Sequence, residues 1–134
     1  MRVFTKEWLR AAHDDLLTIE ELLDNPNLTH ILAFHAQQCV EKLFKAILEE
    51  HEIDTPKIHK LLKLQNILPV KLADIDKDIL NILDELYIES RYPGEMGLLP
   101  HGKPSTGDAK EFYAFAISTF NKVCILLNID PKEV

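Results

Sequence analysis

Apolar residues recur at helical spacing through most of this chain. Leu9, Ala12, Leu16, Ile19 and Leu23 alternate steps of three and four, the stripe of a helix packed along one face. They predict a helix over residues 5–24, with Thr5 as N-cap and an end at Asn25-Pro26-Asn27, where proline stops it. Leu32, Ala36, Cys39, Leu43 and Ala46 repeat the pattern and predict a second, long helix over 29–50, capped by Thr29. Thr55-Pro56 reads as N-cap and first residue of a short helix over 56–67. Leu72, Ile75, Ile79, Ile82 and Leu86 predict a helix over 73–91. Ala109, Phe112, Ala116, Thr119, Val123 and Leu126 predict a last helix over 106–128. Strand-like alternation is absent, so the predicted fold is all-α, an up-and-down bundle of four long helices plus a short one.

Composition adds to this picture in two places. The chain has 134 residues, enough for one core, so a single domain spans 1–134. Its four glycines, Gly94, Gly97, Gly102 and Gly107, all fall within one stretch, beside three prolines in residues 92–104. A segment of that kind between helices is uncommon in a compact domain and marks a place for function. The net charge of −7 disfavours a broad electrostatic grip on nucleic acid, although a local basic stripe remains compatible with it. Cys39 and Cys124 show no CxxC or Cys/His spacing, so no metal site and no cofactor are expected. Unpaired cysteines and the absence of a leader-like or membrane-length apolar run predict a cytoplasmic protein.

On the second helix, steps of 100° per residue gather His35, Gln38, Lys42 and Lys45 into one polar stripe. Such a stripe is either a solvated outer face or a surface whose two ammonium groups hold phosphates while Gln38 donates and accepts hydrogen bonds. Arg91, at a predicted helix end, can grip a phosphate or bind the last carbonyls of its own helix. Tyr92, held extended by Pro93, can stack on a base or pack on the bundle. His59 and His101 are the histidines placed where they can move a proton. His13, His30 and His51 read as surface residues, and Asp14-Asp15, Glu20-Glu21 and Glu49-Glu50 as solvated carboxylates.

Four segments together resemble one family. Phe34-His35-Ala36-Gln37-Gln38-Cys39-Val40-Glu41-Lys42-Leu43-Phe44-Lys45-Ala46 is similar to the second-helix signature of the HEPN (higher eukaryotes and prokaryotes nucleotide-binding) domain. Thr55-Pro56-Lys57-Ile58-His59-Lys60-Leu61 resembles its histidine-before-leucine segment, and Ser90-Arg91-Tyr92-Pro93 its Arg-Tyr-Pro motif. The final helix, with Ala109, Ala114 and Ala116, resembles its small-residue C-terminal helix. The resemblance implies a helical bundle that forms a homodimer and contacts a nucleotide or RNA through His35, Gln38, Lys42, Lys45, Arg91 and Tyr92. It also implies a minimal nucleotidyltransferase as partner, in a toxin–antitoxin-like pair. Many members are metal-independent RNases with an Arg-x(4–6)-His motif. Here nine residues separate Arg91 from His101, which departs from that pattern. The expectation is therefore a binding module rather than an enzyme. An RNase using Arg91 with His101 or His59, and a purely structural dimeric module, stand as alternatives.

Overall fold

The second helix organises the molecule. In the computed structural model, which describes residues 1–72, 74–89 and 102–134, α1 spans Val3–Leu22, α2 Thr29–Glu50, α3 Leu61–Asn66, α4 Lys77–Glu89 and α5 Thr106–Leu126. A 3₁₀ turn, Pro131–Glu133, follows α5. Helix α2 touches all four others, because its apolar residues run nearly all round: Leu32, Ala36, Cys39, Val40, Leu43, Phe44, Ile47 and Leu48 have no exposed surface. Leu9 and Ile19 of α1, Leu80 and Leu83 of α4 and Ala116 and Val123 of α5 close the same core.

Cross-helix contacts fix the directions. Arg2, before α1, meets Glu49 and Glu52 at the far end of α2, so the two helices are antiparallel. Phe34, early in α2, stacks on Tyr87, late in α4. Tyr113 donates to Glu20, and Phe120 packs on His13, which sets α5 antiparallel to α1. The described helices therefore form the all-α, up-and-down bundle predicted from the pattern, with the short helix between α2 and α4. No strand occurs among the described residues.

Helix ends differ from the sequence expectation where a side chain from elsewhere in the fold takes over. Helix α1 begins before Thr5, whose buried hydroxyl donates to Glu50 of α2 instead of capping. Helix α2 starts on Thr29 itself, with Leu28 at the cap position and no side-chain cap. The Thr55-Pro56 start is overturned: the helix begins at Leu61, where the Asp84 carboxylate of α4 accepts from the N–H groups of Leu61 (2.8 Å) and Leu62 (3.3 Å). Helix α4 begins at Lys77 because Asp76 accepts from the N–H groups of Asp78 and Ile79. Ser105 and Asp108 form a reciprocal capping box that starts α5. It ends by Asn128, at φ 58°, with the Ile129 N–H returning to the Cys124 carbonyl.

Candidate functional site

The polar stripe of α2 is neither a free cationic surface nor a solvated face. Two buried carboxylates divide it. Asp15, on α1, sits at steps of three and four from Ala12 and Ile19 and so lies on the apolar side of its helix. Its Oδ2 meets Lys42 Nζ at 2.8 Å and its Oδ1 meets His35 Nδ1 at 3.0 Å. The expectation of a solvated Asp15 is thus corrected, because α2 covers this position. Glu41 is the second carboxylate. It pairs with Lys45, four residues on, at 3.0 Å, and with His59 Nδ1 at 3.2 Å. Lys45 is itself buried and lies 5.6 Å from the Trp8 ring centroid.

Gln37 and Gln38 extend the Glu41 half of the network. Gln38 Nε2 donates to Gln37 Oε1 at 2.8 Å, and Gln37 Nε2 donates to the His59 carbonyl at 2.7 Å. Residues just before α3 are therefore clamped from two sides, by Gln37 at His59 and by Asp84 at Leu61. Burial pushes the Asp84 carboxyl above the ordinary carboxylate range, against the opposing pull of the Leu61, Leu62 and Gln37 hydrogen bonds and the charge of Lys60. The folded chain therefore holds this proton to higher pH than the unfolded chain, and the stability it contributes is lost as pH rises through the carboxylate range. Glu50 behaves in the opposite sense. The Arg2 backbone N–H is the main influence holding its carboxyl low, so its contribution is present above the unfolded value and lost on acidification. Urea unfolding is expected to show Asp84→Asn costing more near about pH 4 than near about pH 7, and Glu50→Gln costing more at the higher pH. Parallel slopes for the two variants would contradict these assignments.

Both histidines of the site are oriented in the same way. A carboxylate only accepts, so Nδ1 of His35 and of His59 carries the hydrogen of each contact, which leaves Nε2 outside these two bonds. The His35 side chain is 28% exposed, Lys42 24% and His59 50%. Between the rings lie Phe34 and Tyr87, stacked 5.6 Å apart at 18°, with Phe34 edge-on to His35 and Tyr87 beside His59. The surface thus offers an ammonium with two further donors, two imidazole edges and an aromatic pair. That set can hold phosphate oxygens and the face or edge of a base.

Of the predicted site residues, His35, Gln38 and Lys42 come together on this surface with His59. Lys45 is instead an internal strut under Glu41. Arg91, Tyr92 and His101, with most of the glycine-rich segment, lie outside the described residues. The sequence reading marks Asp15 only as a solvated carboxylate and does not single out Glu41 or Asp84. Their signal was position: Asp15 in phase with an apolar stripe, and Glu41 four residues from both Gln37 and Lys45. His13 and His30 are half-buried rather than surface residues; His13 packs on Phe120, while exposed His51 meets the Ile47 carbonyl through Nδ1. Burial raises both thiols, Cys124 to about 11, so neither is a ready nucleophile. Among the described residues no group of three or more His, Cys, Asp or Glu side chains is arranged around a metal position, and no helix is long and apolar enough to cross a membrane.

Comparison with known proteins places this geometry. The family model of the HEPN domain matches residues 5–126. The crystal structure of an archaeal HEPN homologue is similar with a TM-score of 0.63 and 28% sequence identity, covering 92% of this chain and 96% of that one. No curated protein matches.

Proposed function

The chain belongs to the HEPN domain family, and from that premise we propose that it is a nucleotide- or RNA-binding module of the cytoplasm. In this reading it forms a homodimer and acts with a minimal nucleotidyltransferase, as one half of a toxin–antitoxin-like pair. The observation that carries the ligand assignment is the surface formed by His35, Gln38, Lys42 and His59 around the Phe34–Tyr87 stack. Each polar group there is braced from behind by a buried carboxylate or amide, so few rotamers remain to be frozen on binding. Helix α4 ends at Glu89, and in sequence the Arg-Tyr-Pro motif begins two residues later, four after Tyr87.

A thermal-shift and fluorescence titration with ATP, GTP and short single-stranded RNAs tests this directly. A saturable rise in melting temperature is expected for at least one of them. His59→Ala and Lys42→Gln should each weaken it by roughly tenfold, the worth of one charge-assisted hydrogen bond. No shift with any ligand, or wild-type affinity in both variants, would remove this surface from consideration.

A further inference from the structure

The two imidazoles of the α2 surface differ from its lysine in where their hydrogens go. Lys42 carries three N–H donors, and its contact with Asp15 uses one of them. His35 and His59 each commit Nδ1 to a carboxylate, at 3.0 Å to Asp15 and 3.2 Å to Glu41. Both carboxylates are buried, while the His35 side chain keeps 28% of its surface and His59 50%. In an imidazole the Nε2–Cδ2 edge lies across the ring from Nδ1, so in both rings it points away from the carboxylate. A neutral imidazole has a single N–H. With that hydrogen on Nδ1, Nε2 is left as an acceptor. His35 meets Phe34 and His59 meets Tyr87, on either side of the Phe34–Tyr87 stack, so each ring would meet a phosphate of its own.

The phosphodiester oxygens of an RNA strand also only accept. Such an oxygen makes no hydrogen bond to an accepting Nε2. The contact forms when Nε2 takes a proton and the ring becomes an imidazolium, a donor at both nitrogens. The buried carboxylate behind each ring then faces a cation, which strengthens the Nδ1 contact as well. Resting on the nucleotide- or RNA-binding reading above, we propose that RNA binds this surface by proton-coupled capture of its backbone: His35 and His59 each take one proton from solvent onto Nε2 as each engages a phosphodiester. Lys42 supplies the part of the grip that needs no proton. Other charged groups stand around the two rings. Asp15 of α1 and Lys42 of α2 face His35. Glu41 of α2, with Lys45 behind it, and Tyr87 of α4 face His59. Lys60 is the next residue in sequence, and Asp84 of α4 accepts from Leu61, two residues on.

Two measurements test this. The first needs no ligand: long-range ¹H–¹⁵N correlation spectra of the free protein at alkaline pH should show both rings with their hydrogen on Nδ1 and none on Nε2. The second is the affinity for a short 5′-hydroxyl oligouridylate at fixed salt, a ligand with no group of its own that titrates between about pH 5 and 8, where imidazoles change charge. A proton held more tightly in the complex than in the free protein gives affinity that is present at low pH and lost as pH rises. The loss should reach about tenfold per pH unit for each imidazole engaged. His35→Asn and His59→Asn keep an amide donor for the carboxylate and remove Nε2, so each should take one proton out of the slope and the double variant should be flat. A neutral ring with its hydrogen on Nε2 overturns the proposal. So does a pH-independent wild-type affinity, the mark of an RNA held through base amines or ribose hydroxyls. A slope that survives in the double variant belongs to another group, Asp84 first, and overturns it too. Each of these results leaves RNA binding itself standing. Binding of ATP or GTP without binding of the RNA removes the proposal and keeps the nucleotide reading; no binding of any of them at any pH removes both.

Discussion

Glu41→Leu is expected to lower stability by about 3–5 kcal/mol in urea unfolding, the largest effect of any single polar substitution in the bundle. The reason is what it strands. The Lys45 side chain is 7% exposed and the Glu41 side chain 6%, so removing the carboxylate leaves an ammonium buried beside Trp8 with no anion to neutralise it. The attraction within such a pair only offsets the cost of taking both charges out of water, whereas a lone buried charge retains the whole cost. Removing both together should therefore be far milder: Glu41→Leu with Lys45→Met is expected within about 1–2 kcal/mol of the parent, since well-packed apolar residues replace buried ion pairs at little cost. The single variant should also release the His59 ring, which Glu41 holds through Nδ1, and so lower any ligand affinity measured at the surface of His35, Lys42 and His59 beyond the loss of stability. A single-variant loss below about 1 kcal/mol, or a double variant no better than the single, would show that Lys45 reaches water more readily than its burial implies.

The same pair shows where the sequence stopped being readable. The helices followed from local pattern, because an apolar stripe at steps of three and four has one stable fate. Leu9, Ala12, Leu16 and Ile19 are all core. The polar stripe had two fates. Which of them a lysine takes depends on what stands opposite, and that is a tertiary fact. Lys42 and Lys45 are only three residues apart, yet one reaches the surface and the other is sealed under α1 and Trp8. Helix starts divided in the same way. Ser105 and Asp108 form a local cap, but the start of α3 is set by Asp84, more than twenty residues away, so no local reading of Thr55-Pro56 could have placed it. The family resemblance located the right stretch of α2 without its logic. The signature residues His35, Gln38 and Lys42 lie at the surface, while Gln37, Glu41 and Lys45 between them form its internal bracing.

Asp15→Asn should move stability and ligand affinity in opposite directions. The Asp15 carboxylate uses both oxygens, on His35 and on Lys42, and is itself buried. Its loss weakens two contacts, but Lys42 keeps 24% of its side-chain surface and is not stranded as Lys45 would be. A cost of about 2–3 kcal/mol follows, below that of Glu41→Leu, with the melting temperature falling by roughly 10 °C for a chain of this size. The effect on a bound phosphate has the other sign. With Asp15 in place, the charge of Lys42 is cancelled 2.8 Å away. Removing a unit negative charge some 6 Å from a phosphate is worth about 0.7 kcal/mol in bulk water and more in the lower dielectric of a protein surface. Looser positioning of Lys42 and His35 takes back part of that gain. The net expectation is a several-fold tighter grip on short RNA at low salt. That gain should shrink toward zero near 1 M salt, where screening acts within about 3 Å. Equal weakening at every salt concentration would mean that Asp15 acts by orientation alone. In that case the surface reads its ligand through hydrogen-bond geometry at His35 rather than through the charge of Lys42.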